Sequence, residues 1–332
     1  MSSLSIVIPA YNEANRVGNS LETVAAYLTE HSPESEIIVV DDGSSDRTAD
    51  LAREVLNAHA PLRTSVISYK SNLGKGRAVR LGLLAARSDV ALFSDADLST
   101  PISEAPKLVD PIERGESDLT FGSRALDRSL IGVHQPWRRE QGGRIFNLVV
   151  RLATGLPFWD TQCGFKAFSM AVCRPLIEAA TVDRFGFDVE LLYLAYRAGL
   201  RLKEIPVRWD HNEGSKLSVV TDSLKAISEV GLIRQQARRG VYDNAIKAVR
   251  DSLEKGDTDS IKRAYDDLQS KFQDVSADLY KQASAQAGPR PGPGAGPQPG
   301  PQTQPGGAEE GAGKQGDVVD AEFEVVDEDK KK

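Results

Sequence analysis

Asp95 and Asp97 close the run Val90-Ala91-Leu92-Phe93-Ser94-Asp95-Ala96-Asp97, two carboxylates one residue apart at the end of an apolar stretch. Val90 to Phe93 reads as a buried strand, and Ser99-Thr100-Pro101 supplies turn chemistry just beyond it. The pair therefore stands where a strand gives way to a loop. In open α/β sheets, ligands collect at such carboxyl ends. Two hard oxygen donors there suit Mg²⁺ or Mn²⁺ bridging a diphosphate. An Asp-x-Asp alone is weak evidence, because turns are rich in aspartate. Its weight comes from what lies upstream.

The elements that would position this pair follow a regular rhythm. Ile6 to Ile8 is a short apolar strand ended by Pro9, followed by a helix to about Leu28. A second strand, Glu36 to Val40, runs into Asp41-Asp42-Gly43-Ser44-Ser45-Asp46, with Asp46 placed to cap a helix from Arg47 to Leu56. A third strand, Thr64 to Ser68, leads through Asn72-Leu73-Gly74-Lys75-Gly76-Arg77 into a helix from Ala78 to Ala86. Strands alternating with helices predict an α/β fold with a mostly parallel, doubly wound sheet. The strand ends then gather Tyr11, Glu13, Asp42, Lys75, Asp95 and Asp97, a polar cluster suited to a nucleotide diphosphate. Gly74-Lys75-Gly76 lacks the spacing of a P-loop, and no G-x-G-x-x-G follows a strand, so a dinucleotide cofactor is not expected.

With these residues in view, roughly 3 to 235 of the chain resembles the family-two inverting glycosyltransferases of the GT-A fold. Within them it is most similar to the polyprenyl-phosphate hexosyltransferases, the dolichyl-phosphate β-glucosyltransferase group in particular. The segments shared widely among nucleotide-sugar transferases are Val7-Ile8-Pro9-Ala10-Tyr11-Asn12-Glu13, Val40-Asp41-Asp42-Gly43-Ser44, Asn72-Leu73-Gly74-Lys75-Gly76 and Asp95-Ala96-Asp97. Gly122-Ser123-Arg124 and Phe187-Asp188-Val189-Glu190 also match. Asp160-Thr161-Gln162-Cys163-Gly164-Phe165-Lys166 and Glu213-Gly214-Ser215-Lys216 are more particular to the glucosyl-phospholipid subgroup.

The resemblance implies an enzyme, with roles to match. Asp97, with Asp95 assisting, would hold the divalent cation. Glu13 and Asp42 would hold the base and ribose in a pocket shaped by Pro9 and Tyr11. Arg124, Arg139 and Lys216 fall where the family places cations that draw in a polyprenyl or dolichyl phosphate. Gln162 and Asp188 are further candidates for the acceptor side, although acids at a helix start are favoured by the dipole alone. The donor is a nucleotide sugar, UDP-glucose on family likeness. His211 stands where related mannosyltransferases carry Arg, which weakens the alternative of mannosyl transfer, and Ser99 replaces a Gln that some relatives use as a third metal ligand. A nucleotidyltransferase would need a Gly-rich signature ending in Arg near the N-terminus, and Pro-Ala-Tyr-Asn-Glu stands there instead.

Composition divides the chain. Up to Gly240 it carries 29 Lys+Arg against 30 Asp+Glu, and the remainder 12 against 18, so nearly all of the net charge of −7 sits in the last quarter. About 240 residues suffice for one α/β core, so residues 1–240 are expected to hold all of the chemistry. Residues 241–287 read as amphipathic helices resembling the lid of a DnaK-type chaperone, and 288–332 as a disordered Pro/Gly linker with an acidic end resembling that chaperone's C-terminus. The chain then reads as a gene fusion, with a non-catalytic adaptor acting through this tail as another alternative. No stretch reaches the roughly 18 apolar residues of a spanning helix, and no nucleic-acid partner is expected. The expected location is cytoplasmic, with peripheral contact at the cytoplasmic membrane face. Leu217, Val220, Leu224, Ile227, Val230 and Ile233 form one apolar helical stripe that either packs on the core or lies on a bilayer. Cys163 and Cys173 match no zinc spacing and read as buried thiols.

Overall fold

Alternating apolar runs and turn residues produce alternating strands and helices. A computed structural model describes residues 3–59, 62–133, 135, 137–212, 219–255 and 322–323. The first half comprises β1 (Leu4–Ala10), α1 (Val17–His31), β2 (Glu36–Asp41), α2 (Thr48–Asn57), β3 (Arg63–Tyr69), α3 (Lys75–Ala85), β4 (Val90–Ser94), α4 (Ala105–Glu113) and β5 (Leu119–Ser123). Then come β6 (Ile131–Val133), α5 (Trp137–Thr154), β7 (Phe165–Ser169), α6 (Met170–Ala179), α7 (Phe187–Ala198), β8 (Leu202–Pro206), β9 (Trp209–Asp210), α8 (Val219–Arg238), α9 (Asp243–Lys255) and β10 (Glu322–Phe323).

The sheet order is β10-β3-β2-β1-β4-β7-β5-β8, with β6 and β9 pairing separately. All the pairs of the large sheet are parallel except those of β7, which runs antiparallel to β4 and β5. Helices cover both faces, so β1 and β2 are buried along their whole length and read as continuous apolar runs. From β1 the chain winds outward to β3, then returns to lay β4 on the other side of β1. That reversal opens a crevice at the carboxyl ends of β1 and β4, which is where Pro9, Tyr11, Asp95 and Asp97 lie.

Local chemistry sets the helix starts. Asp46 accepts from the Thr48 amide at 3.0 Å and its hydroxyl at 2.5 Å, but α2 begins at Thr48 with Arg47 as its N-cap, so Asp46 holds the entry turn one residue before the cap. Helix α3 begins three residues before the expected Ala78, at Lys75, because Gly74 turns the chain with φ of +113°. Lys75 thereby stands on the first turn, beside the crevice.

Two expectations about the later chain are revised, and for a third the structure favours one of its two alternatives. The boundary at 240 is too early, because α9 packs on α6 and α7, with Tyr242 and Val249 buried. Of the stretch expected to be disordered, Glu322–Phe323 forms an edge strand paired parallel with β3. The rest of 256–332 lies outside the described residues, as does the Glu213–Lys216 segment. In α8, Val230 and Ile233 of the apolar stripe are buried and the helix packs on α5 and α7, so that end serves the core. The exposed stripe is on α5 instead: Trp137, Ile145, Leu148 and Leu152 share one face, each more than half exposed. No helix among the described residues is long and apolar enough to cross a membrane.

Helix α3 lies so close to the sheet that a Cβ on Gly82 would stand 2.3 Å from Val7 Cγ1 and 3.1 Å from Val40 Cγ2. Gly82→Ala is expected to destabilise the domain by about 1–3 kcal/mol through overpacking, despite alanine's better helix propensity. Urea unfolding checks this; an unchanged or raised midpoint would show that the two layers have slack.

Candidate active site

Seven of the expected residues line one cleft of about 380 Å³: Pro9, Tyr11, Glu13, Asp42, Lys75, Asp95 and Asp97. The loop after β1 is latched to the loop after β2 by Asn12 N–H donating to Ser44 Oγ (2.8 Å) and Glu13 N–H to Thr48 Oγ1 (2.8 Å). Asp42 is saturated. Its carboxylate accepts from Tyr69 Oη (2.7 Å), Asn72 Nδ2 (2.8 Å) and the amides of Leu73 (2.8 Å) and Gly74 (2.9 Å). Burial nonetheless holds its pKa above the usual carboxylate range. Asp42 thus shapes the Asn72–Gly74 turn as well as lining the cleft. Glu13 is paired with Arg16.

Charge is crowded at the end of β4. Lys75 Nζ lies 2.6 Å from Asp95 Oδ1 and over the Phe93 ring at 5.3 Å. Burial raises the Asp95 pKa, Lys75 opposes that shift, and Asp97 and Asp188 add to it. For Lys75, burial acts to lower the pKa, but the attraction of Asp95, Asp188 and Asp97 outweighs it and the net shift is upward. Asp97 Oδ1 accepts from the Ser99 amide at 2.9 Å, and Asn212 Nδ2 donates to the Asp97 carbonyl at 2.5 Å. The Asp95 carboxylate rests on Gly164, where a Cβ would fall 2.0 Å from Oδ2. Among the described residues no three His, Cys, Asp or Glu groups converge as a self-sufficient metal site. Two carboxylates with the remaining positions open suit a cation shared with a phosphate-bearing ligand.

Asp188 is corrected by the structure. It is buried and bound to Lys166, Nζ to Oδ1 2.5 Å, while Lys166 also donates to the Cys163 carbonyl at 2.5 Å. A carboxylate held in that way supports the floor of the cleft and presents no open face to an acceptor. Both cysteines are buried and free, as expected, and burial pushes the Cys163 thiol up to about 12.

A second cleft of about 480 Å³ is lined by Arg124, Arg128, Arg144, Arg151, Glu140, Asp160, Trp159, Trp209 and Leu148, among others. Arg124 forks onto Asp160, Nε to Oδ2 2.7 Å and Nη2 to Oδ1 2.8 Å. Burial alone would raise the Asp160 pKa, but the Arg124 guanidinium holds it below the usual range. Arg128 and Arg144 share Glu140 at 2.6 and 3.1 Å, and Arg151 lies over the Trp159 ring at 4.1 Å. Four guanidinium groups face two carboxylates, a surplus that suits an anion. The loop 160–164 joins the clefts, since Asp160 holds Arg124 and the Gly164 carbonyl accepts from the Asp95 amide at 3.1 Å. Gln162 belongs to this loop, half-buried, its amide donating to Asp160 Oδ1 at 3.3 Å. The side chain of Arg139 and all of Lys216 lie outside the described residues.

Sequence reasoning missed Arg184 and Phe185, which line the first cleft from the loop before α7, and Asp160 as the partner of Arg124. Trp159 and Trp209 were also missed. Asp160 opens the Asp160–Lys166 motif, but its pairing with Arg124, like the placing of the other four residues, carries no local signal; only long-range folding brings them in.

Lys166→Met is expected to cost about 3–5 kcal/mol, because it strands Asp188 as a buried charge. Lys166→Met combined with Asp188→Leu should recover part of that loss in chemical denaturation. A single variant as stable as the parent would show that the pair is solvated.

Residues 5–176 match the family described as Glycosyl transferase family 2. The chain is 37% identical over 228 residues to the dolichyl-phosphate beta-glucosyltransferase of Drosophila melanogaster, covering 65% of this chain and 69% of that one. It is 34% identical over 256 residues to the dolichyl-phosphate beta-glucosyltransferase of Homo sapiens, covering 72% and 77%. Among solved structures, glucosyl-3-phosphoglycerate synthase from Mycobacterium tuberculosis, in complex with Mn²⁺, UDP-glucose and glycerol 3-phosphate, shares the fold with a TM-score of 0.50. The identity is 23%, and the match covers 72% of this chain and 80% of that one. The chaperone likeness of the C-terminal part gains no support from these matches.

Proposed function

We propose that this chain, which belongs to glycosyl transferase family 2, moves glucose from UDP-glucose to a polyprenyl or dolichyl phosphate with inversion. The observation that carries the reading is the pairing of two clefts through one loop. One is lined by carboxylates at the switch of the sheet, and the other by arginine and tryptophan. The names of the matched relatives support both donor sugar and acceptor class.

The residues divide the work. Glu13, Pro9, Tyr11 and the Asp42-shaped turn form the nucleotide end of the first cleft, and Lys75 stands ready for a donor phosphate. Asp95 and Asp97 would hold Mg²⁺ or Mn²⁺, which when bound supplies neutralising charge to the leaving diphosphate. The acceptor phosphate, with a second pKa near 6, is already ionised at neutral pH and needs no strong general base. It needs positioning, which Arg124 and its neighbours provide. One acceptor oxygen attacks the anomeric carbon as the bond to the nucleotide diphosphate breaks, turning an α-linked donor into a β-linked lipid product. Trp159, Trp209 and Leu148 offer apolar surface to the first isoprene units, and the exposed stripe of α5 would rest on the membrane that holds the lipid.

The protein mixed with labelled UDP-glucose, Mn²⁺ and a polyprenyl phosphate should yield lipid-linked label. Asp97→Asn should lower the rate by on the order of 10²–10³-fold, by loss of charge at the leaving group. Full activity in EDTA would overturn the metal assignment. In a separate measurement, the parent should float with anionic liposomes, and the change of Trp137 and Leu152 together to Glu should abolish flotation while leaving the thermal melt unchanged. Equal flotation of both proteins would remove α5 as the contact.

A further inference from the structure

Glu190 is fully buried on α7, yet its carboxylate neither lines a cleft nor meets a basic side chain in any described hydrogen bond. Its partners are all neutral donors. Oε1 accepts from the Thr181 amide (2.9 Å), the Thr181 hydroxyl (2.8 Å) and Tyr242 Oη (2.7 Å), and Oε2 accepts from the Val182 amide (2.9 Å). A buried carboxyl group with no basic partner depends on such donors being held in place. Two of them are backbone amides of the loop leading to α7. The tyrosine comes from the residue before α9, in a segment that the sequence assigns to an appendage.

That loop is the wall of the first cleft. Arg184 and Phe185 line it, and they are pinned from both sides. The Asp183 carbonyl accepts from the Arg77 amide at 3.0 Å, its carboxylate from Arg80 at 2.6 Å, and the Gly186 amide donates to Glu229 Oε2 at 2.6 Å. Gly74 and Gly76 approach so closely that a Cβ on either would fall 2.3 Å from the Asp183 carbonyl or 2.6 Å from that of Val182. Thr181 and Val182, where the loop begins, are held by Glu190 and through it by Tyr242. Tyr242 is itself fully buried, and α9 fixes it through Ile246 and Val249 packed between α6 and α7. Burial raises the Tyr242 pKa, so its hydroxyl keeps the proton it donates.

We propose that Tyr242 and Glu190 are positioning residues for donor binding, with α9 acting as a strap that sets the Thr181–Gly186 wall of the nucleotide-sugar cleft. The inference rests on the transferase reading for its ligand, but its mechanical content does not. The strap works at the donor end, since among the described residues neither Glu190, Tyr242 nor any residue of α9 lines the arginine-lined cleft.

The test is Tyr242→Phe in the full chain, which removes one hydroxyl and keeps the ring, with Glu190→Gln as a second route to the same weakening. Hydrogen exchange of the 181–186 amides should accelerate in both variants, and the dissociation constant for UDP with Mn²⁺, measured calorimetrically without acceptor, should rise about tenfold, as loss of one hydrogen bond to a charged group implies. The KM for the lipid phosphate should stay within about twofold of the parent. Parent-like exchange in a folded Tyr242→Phe protein would overturn the strap. So would an equal rise in donor and acceptor constants, which signals general loosening. A parent that binds no UDP would sink the transferase reading and leave the exchange result to decide the strap separately.

Discussion

Carboxylates crowded into a buried strand end are the constraint on which the rest of this site depends. Asp95, Asp97 and Asp188 lie near one another at the end of β4, and for Asp95 burial, with the charges of Asp97 and Asp188 added, disfavours the charged form. The fold answers with two ammonium groups from different elements, Lys166 on β7 for Asp188 and Lys75 on α3 for Asp95. Phe93 lies within reach of both. Lys166 is taken up by the buried Asp188, so Lys75 alone stands against Asp95 and Asp97, a local excess of carboxylate at this end of the cleft. A divalent cation held there would relieve the repulsion between the two carboxylates, which supports the proposed metal role of Asp95 and Asp97.

Close packing fixes where that charge sits. Gly164 lets the Asp95 carboxylate lie against the backbone of the loop 160–164, and Gly122 admits Cys163 and Val207 with no room for a side chain, its would-be Cβ 2.8 Å from Val207 Cγ2. The same loop presents Asp160 to Arg124. One short segment therefore sets both the Asp95 carboxylate and the Arg124 guanidinium. Under the proposed function, displacing it would move the donor and acceptor ends together, so one loop would keep an in-line displacement aligned.

The sequence was most legible where chemistry and element are neighbours in the chain. Pro9 stands at the end of β1, and Tyr11, Glu13, Asp42, Lys75, Asp95 and Asp97 each follow a strand within a few residues, so the strand–helix rhythm alone gathers them at the carboxyl ends of the sheet. Pairings across long separations were not legible. Asp188 looks like an acid at a helix start until Lys166, 22 residues earlier, is seen to hold it. Arg124 looks like a free phosphate ligand until Asp160, 36 residues later, is seen to grip it. Periodicity likewise finds stripes without finding their partners. The stripe of α8 goes inward at Val230 and Ile233, and that of α5 goes outward, although both have helical spacing. The boundary at 240 failed for the same reason: compositional change marks where a sequence changes style, while Tyr242 and Val249 are buried by shape.

The two clefts differ in how their polar groups are held, and this bears on how the sites engage their ligands. In the first, Asp42 and the loops after β1 and β2 are tied by backbone amides, which cost no side-chain entropy when a nucleotide arrives. In the second, the arginines are long side chains held by Asp160, Glu140 and the Trp159 ring. An arriving phosphate must compete with those carboxylates for the guanidinium groups. Such competition weakens capture of small free phosphates, whose binding rests on charge alone. A lipid phosphate brings apolar surface as well, and the tryptophans and the exposed α5 face can repay what the carboxylates withhold. Under the proposed function, the arrangement would therefore favour an acceptor that is anionic at one end and apolar at the other.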